Sequence, residues 1–295
     1  MKKNNFKGCL ILALTAIIWG VAFIAQKEGM DYVGPLTFTF SRSLLGTVAL
    51  FPVALLLGKK KPMGKALGFG DKTLLKAGLL SGLFLFGATA CQQIGMQYTT
   101  AGKAAFITAL YIVFAPVVGI FLGKKAGLPV WVGVLLGGVG MYLLCMTGES
   151  GIGRGDLIVF LCSLLFTGQI LVIDRYSQTV DCIRMSCLQF AVCTVLSGIG
   201  MLLFETPQMG AILDCAVPIL YAGILSSAVA YTLQIVGQKY ADVTPATLAM
   251  SLESVFAALA GWLILKETMS VPEILGCVLI FVAIVVAQLP TKRNS

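Results

Sequence analysis

The sequence predicts an all-α polytopic membrane protein of ten transmembrane helices, built as two five-helix halves, residues 1–148 and 149–295, with both termini cytoplasmic. Three observations predict it. Of the 295 residues, 58% are hydrophobic and 12% charged, with a mean hydropathy of +0.94, a composition that does not suit a soluble surface. The basic residues behind the net charge of +8 lie in short links between apolar runs, so they describe topology and argue against a nucleic-acid partner. Finally, Gly95–Lys125 recurs without gaps as Gly237–Glu267 at an offset of 142, which pairs Tyr98 with Tyr240, Leu110 with Leu252, Tyr111 with Glu253 and Phe114 with Phe256.

The apolar runs justify the count in order. Run one, Cys9 to Ala25, follows Lys2, Lys3 and Lys7; it is long for the core of a secretory signal and lacks a small-x-small cleavage site, so it reads as the first crossing. Runs at 35–57, 74–96, 103–122 and 128–147 complete the first half. After the Gly-rich link GESGIGRGD come 156–173, 183–204, 214–236, 244–265 and 271–289. A helix rises ~1.5 Å per residue, so runs of this length cross a hydrocarbon core of ~30 Å. With the amino terminus inside, sixteen Lys and Arg fall on the cytoplasmic side and four (Lys27, Lys103, Arg154, Lys266) on the other. That asymmetry satisfies the positive-inside rule, and adding or removing a crossing midway destroys it.

Five crossings is an odd number, so the second half enters the membrane the opposite way up. Inverted repeats are characteristic of secondary transporters, whose binding sites lie near the midplane between the halves. The repetition extends to interior polar positions, which duplication without a shared site does not require.

Several fragments carry a family resemblance: Trp19-Gly20 with Phe23 and Lys27, Arg42, Tyr98-Thr99-Thr100-Ala101 with Pro116, Ser251-Leu252-Glu253 with Phe256 and Ala257, then Leu265-Lys266-Glu267 and Gly276. In order and spacing they resemble the EamA-like permeases of the ten-helix drug/metabolite transporter superfamily over nearly the whole chain. The resemblance implies an inner (plasma) membrane permease that exports amino acids or other small metabolites, with proton exchange proposed for some members. Two departures stand out: Ser254 occupies a position where the family commonly has proline, and Lys124 and Lys125 stand where it has an acid. The missing proline predicts a straighter ninth helix.

Glu253 is the one acid set deep in an apolar run, ~12 Å from the cytoplasmic end of run nine. An acid there costs a few kcal/mol on insertion scales, which makes it a candidate for proton coupling or for contact with a substrate amine; a structural carboxyl bonded to a neighbouring helix is the plain alternative. Its repeat partner Tyr111 lies at a similar depth from the other face, so a pseudo-two-fold axis brings the two to one cavity, where a phenol offers an aromatic face and one polar group. Gln92 and Gln234 also match at the offset of 142. Thr89, Gln92 and Met96 share one helical face, as do Ser227, Tyr231 and Gln234. Gln169 joins the candidate pocket, whereas Gln189, the counterpart of Arg42 at an offset of 147, reads as structural. Arg42 lies ~10 Å from the outer end of run two, ~8 Å in height from Glu253. Family architecture places run two toward the outside of the bundle, so Arg42 is expected to anchor locally near the interface. Trp19 and Phe23 share a face and resemble the family's aromatic cavity wall. Tyr98, Trp131 and Tyr240 read as interfacial aromatics. Gly133, Gly137 and Gly140 signal close helix contact.

Within the runs there is no paired acid, no nucleophile with a base, no Walker or dinucleotide glycine pattern and no histidine, so no catalytic residue, metal or cofactor is expected. The nine cysteines, without a CxxC pair, read as small buried hydrophobes. The expected partners are a small-molecule substrate and the lipid bilayer. The internal repeat makes a monomer sufficient, and a homodimer is compatible with it. Export with proton antiport is the leading expectation, with uptake or uncoupled facilitation by the same fold still open.

Overall fold

The structure is a computed structural model that describes residues 4–57, 69–99, 101–123, 127–145, 153–264 and 270–287. All regular structure among these residues is helical. The charged links at 59–65 and 124–125, the Leu265-Lys266-Glu267 fragment, Thr100 and the tail at 292–293 lie outside them.

Local sequence sets the helix starts. In α1 (Asn5–Gly29) the Asn4 side chain accepts from Lys7 N, and in α3 (Lys72–Gly95) Asp71 accepts from Thr73 N and Leu74 N. Helix α2 (Pro35–Leu57) opens on proline, whose missing N–H costs nothing at a first position. Its cap comes from elsewhere: Glu205, just beyond α8 (Cys182–Phe204), accepts from Leu36 N and Thr37 N at 2.8 Å each and from Thr37 Oγ1 at 2.6 Å. Two distant segments are thereby tied, and Glu205→Ala is expected to lower stability by about 1–2 kcal/mol, read as a lower melting midpoint in detergent.

Runs four and nine depart from expectation. Run four divides into α4 (Ala101–Thr108) and α5 (Tyr111–Phe121), and run nine into α12 (Val243–Met250) and α13 (Leu252–Ile264). The straight ninth helix expected from the missing proline is therefore corrected: a break occurs at Ser251 without one. Both breaks tighten the hydrogen-bond ladder to three-residue steps, Leu110 N to Ile107 O and Ile112 N to Ala109 O in one, Ser254 N to Ser251 O in the other. In run four, Pro116 supplies no N–H for the Ile112 carbonyl. In run nine, Thr247 and Ser251 hydroxyls donate to Thr244 O and Leu248 O, competing for helical carbonyls.

The remaining long elements are α6 (Leu128–Cys145), α7 (Arg154–Tyr176) and α14 (Val271–Ala287). Run eight is composite. The short α9 (Met209–Asp214) precedes α10 (Ala216–Leu220), a wider π-helical stretch Tyr221–Ala230, and α11 (Tyr231–Tyr240). Seven helical runs among the described residues are long and apolar enough to cross a membrane: 5–29, 35–56, 72–95, 154–176, 182–204, 216–240 and 243–260. Shorter apolar stretches cover 111–121, 128–140 and 274–286. Polarity is arranged to match a lipid surround: Leu56, Phe121 and Leu202 are exposed while Gln26, Arg42, Gln169, Gln189, Gln234 and Glu253 are buried.

Packing falls into corresponding pairs. Helix α1 lies against α11, α12 and α13, while α7 lies against α3, α4 and α5; α2 packs on α8 and α6 on α14. At the last crossing a Cβ on Gly140 would stand 2.8 Å from Gly276 O and 3.0 Å from Ile280 N, so α6 and α14 meet backbone to backbone. A Cβ on Gly137 would meet Ile112 Cδ1 at 2.8 Å. These glycines serve contacts inside the bundle.

Candidate functional site

A cavity opens where the two broken helices face α1, α2, α3 and α7. Trp19, Phe23 and Gln26 of α1 line it together with Arg42 and Gln92; Thr108 and Tyr111 flank the first break, Met250 and Glu253 the second. Phe166 and Ile170 of α7 and Ser226, Tyr231 and Gln234 of run eight complete the wall.

Tyr111 and Glu253 meet directly. The phenol donates to Glu253 Oε1 at 2.9 Å, both side chains being buried. Each sits at the start of the helix that follows its break, Tyr111 first in α5 and Glu253 second in α13. A carboxylate in the first turn of a helix is favoured by the backbone N–H groups there. Glu253 Oε2 makes no hydrogen bond among the described residues.

On the aromatic wall Trp19 lies 4.7 Å from the Tyr231 ring at 58°, and behind it Phe190, off the cavity lining, meets Tyr231 at 5.2 Å, edge-on. Gln92 Nε2 donates to Thr108 Oγ1 at 3.2 Å. Gln234 is held in a reciprocal amide pair with Gln169, at 3.1 and 3.3 Å, and Gln169 also reaches Gln189 Oε1 at 3.4 Å. Gln169 is thus placed one layer behind the wall, as a partner of Gln234, and the buried Gln189 serves the same network. Thr89 back-bonds to Leu85 O and stays off the wall.

Arg42 requires correction. Instead of anchoring at the interface it is buried, lines the cavity and donates through Nη1 to Gln26 Oε1 at 2.9 Å. The packing of α2 against α8 and the π-helical stretch draws it inward.

Sequence does not single out Gln26, Thr108, Phe166, Ile170, Ser226 or Met250, yet Gln26, Phe166 and Ile170 carry a readable signal. Gln26 follows Trp19 and Phe23 at i+7 and i+3, on their face. Phe166 and Ile170 lie 147 beyond Trp19 and Phe23, and Met250 lies 142 beyond Thr108. Ser226 depends on the π-helical stretch, for which the sequence holds no signal.

No group of three or more His, Cys, Asp or Glu able to hold a metal occurs among the described residues, and Cys9, Cys91, Cys162, Cys187, Cys193 and Cys215 form no disulfide. One acid, one guanidinium, amides and aromatic faces suit reversible binding of a small amphipathic molecule.

Comparison with known proteins agrees with this architecture. The model of the EamA-like transporter family matches twice, over residues 6–146 and 153–288. An uncharacterized transporter of Archaeoglobus fulgidus is 31% identical over 282 residues, covering 94% of this chain and 84% of that protein. The uncharacterized transporter YoaV of Bacillus subtilis is 25% identical, with 92% of each chain covered. A crystal structure shares the fold with a TM-score of 0.74 at 19% identity, over 95% of this chain and 96% of that one. The chain is a multi-pass membrane protein and belongs to the EamA-like transporter family.

Proposed function

We propose that this transporter moves amino acids or similar small amphipathic metabolites across the plasma membrane by alternating access, most simply as an exporter coupled to proton entry. The ten crossings are two inverted halves of five, and one chain suffices. Trp19, Phe23, Gln92, Tyr111, Tyr231, Gln234 and Glu253 contact substrate, Gln169 fixes Gln234, and Glu253 exchanges the coupling proton.

The observation that carries this reading is the Tyr111–Glu253 hydrogen bond, which joins repeat-related residues on two similarly broken helices at the wall of one cavity. Broken helices lining a cavity between repeats are the usual substrate sites of secondary transporters. Correspondence of the packing pairs, α1 with run nine and α7 with run four, supports the inverted arrangement. The test is exchange of labelled amino-acid pools by the purified chain in proteoliposomes: saturable exchange above protein-free vesicles supports transport of this class, and none above that background contradicts it.

A further inference from the structure

We propose that the Arg42 guanidinium is the anion-recognition point of the cavity, taking a carboxylate of the transported molecule while Glu253 and Tyr111 face its ammonium end. This rests on the transport reading above and narrows its substrate to molecules that carry both groups.

The argument begins with the cost of the charge. Arg42 is 3% exposed and permanently cationic, and a buried charge without a counter-charge is expensive. Among the described residues no carboxylate lies within ion-pair range of it. Of its five N–H donors, one hydrogen bond to protein is made, to Gln26 Oε1, and Nε is buried without a partner. Gln26 is itself pinned, since its Nε2 donates to Ala22 O at 3.3 Å, so a neutral acceptor orients the guanidinium and leaves its charge uncompensated. A guanidinium with donors to spare on a cavity wall matches a planar carboxylate.

The rest of the wall fits the other parts of such a molecule. Glu253, on α13, is bonded to Tyr111 through one oxygen and leaves Oε2 for a donor. A cation and an acid share one cavity without pairing to each other, which is the pattern complementary to a zwitterion. Phe23, Phe166, Ile170 and Met250 offer an apolar surface for its side chain.

The test is competition in proteoliposome exchange of labelled leucine, methionine and phenylalanine, with the parent amino acids, their primary amides and their decarboxylated amines as competitors. The wild type is expected to accept the parents and reject the amides and amines. Arg42→Gln should raise the half-saturation concentration of the parents roughly tenfold to a hundredfold, the worth of a charge-assisted hydrogen bond. Gln26→Glu keeps Arg42 but sets a carboxylate against it, and should produce the same loss in a protein of nearly unchanged shape. Equal competition by amides and parents, or wild-type selectivity in Gln26→Glu, overturns the assignment while leaving transport intact. Exchange of the amines in preference to the parents overturns it too. If the wild type exchanges neither the parents nor the amines, the transport reading for this class falls and the Arg42 assignment with it.

Discussion

Gly20→Val is expected to prevent recovery of folded protein. A Cβ at position 20 would lie 2.6 Å from Phe256 Cβ and 2.7 Å from both Ala257 N and Phe256 C, so α1 and α13 approach at backbone distance. Two of those three atoms belong to main chain, which cannot rotate away. Overpacking a close contact costs about 1–3 kcal/mol even where side chains can give, so Gly20→Ala should fall in that range and valine beyond it. The displaced α1 carries Trp19, Phe23 and Gln26, and the cavity wall moves with it. Gly138→Ala is the control: nothing lies within 4 Å of its Cβ, and removing a mid-helix glycine should leave stability unchanged or raise it by about 0.5–1 kcal/mol. Monodispersity on gel filtration and the melting midpoint in one detergent separate the two variants.

Glu253→Gln has the largest expected effect on function. The amide keeps the shape and can still accept from Tyr111, so the bundle should assemble. It cannot exchange a proton. Substrate exchange at equal pH on both sides should become insensitive to pH across the neutral range, and accumulation driven by a pH gradient should disappear. Tyr111→Phe is the milder partner change: it removes the donor at 2.9 Å while leaving the carboxyl in place, so pH sensitivity should persist with its midpoint displaced. Arg42 and Tyr231 share the cavity with both residues, so the same pH series belongs on Arg42→Gln as well.

Much of the cavity lining was legible because several of its positions recur at a fixed offset. Matching Tyr111 to Glu253 by offset alone anticipates two residues that meet in one cavity, and the offset of 147 also leads from Trp19 and Phe23 to Phe166 and Ile170. Helix positions were legible from apolar length, since a membrane helix must keep its backbone bonds internal. Breaks were not, because they arise from hydroxyl back-bonding at Thr247 and Ser251 and from the proline-weakened ladder after Ala109, features that unbroken membrane helices also tolerate. Nor was the place of Arg42. Its depth was readable along α2, but the direction it faces depends on how α2 packs against α8 and the π-helical stretch, and no pattern within run two records that rotation.

The most direct test of the central claim is proton movement in proteoliposomes under an imposed pH gradient, followed as amino-acid pools are added to wild type and to Glu253→Gln. Substrate-evoked proton flux in the wild type and none in the variant is the predicted result. Equal exchange of labelled substrate by both proteins, with no proton movement in either, would contradict it and leave Glu253 as a structural carboxyl bonded to Tyr111.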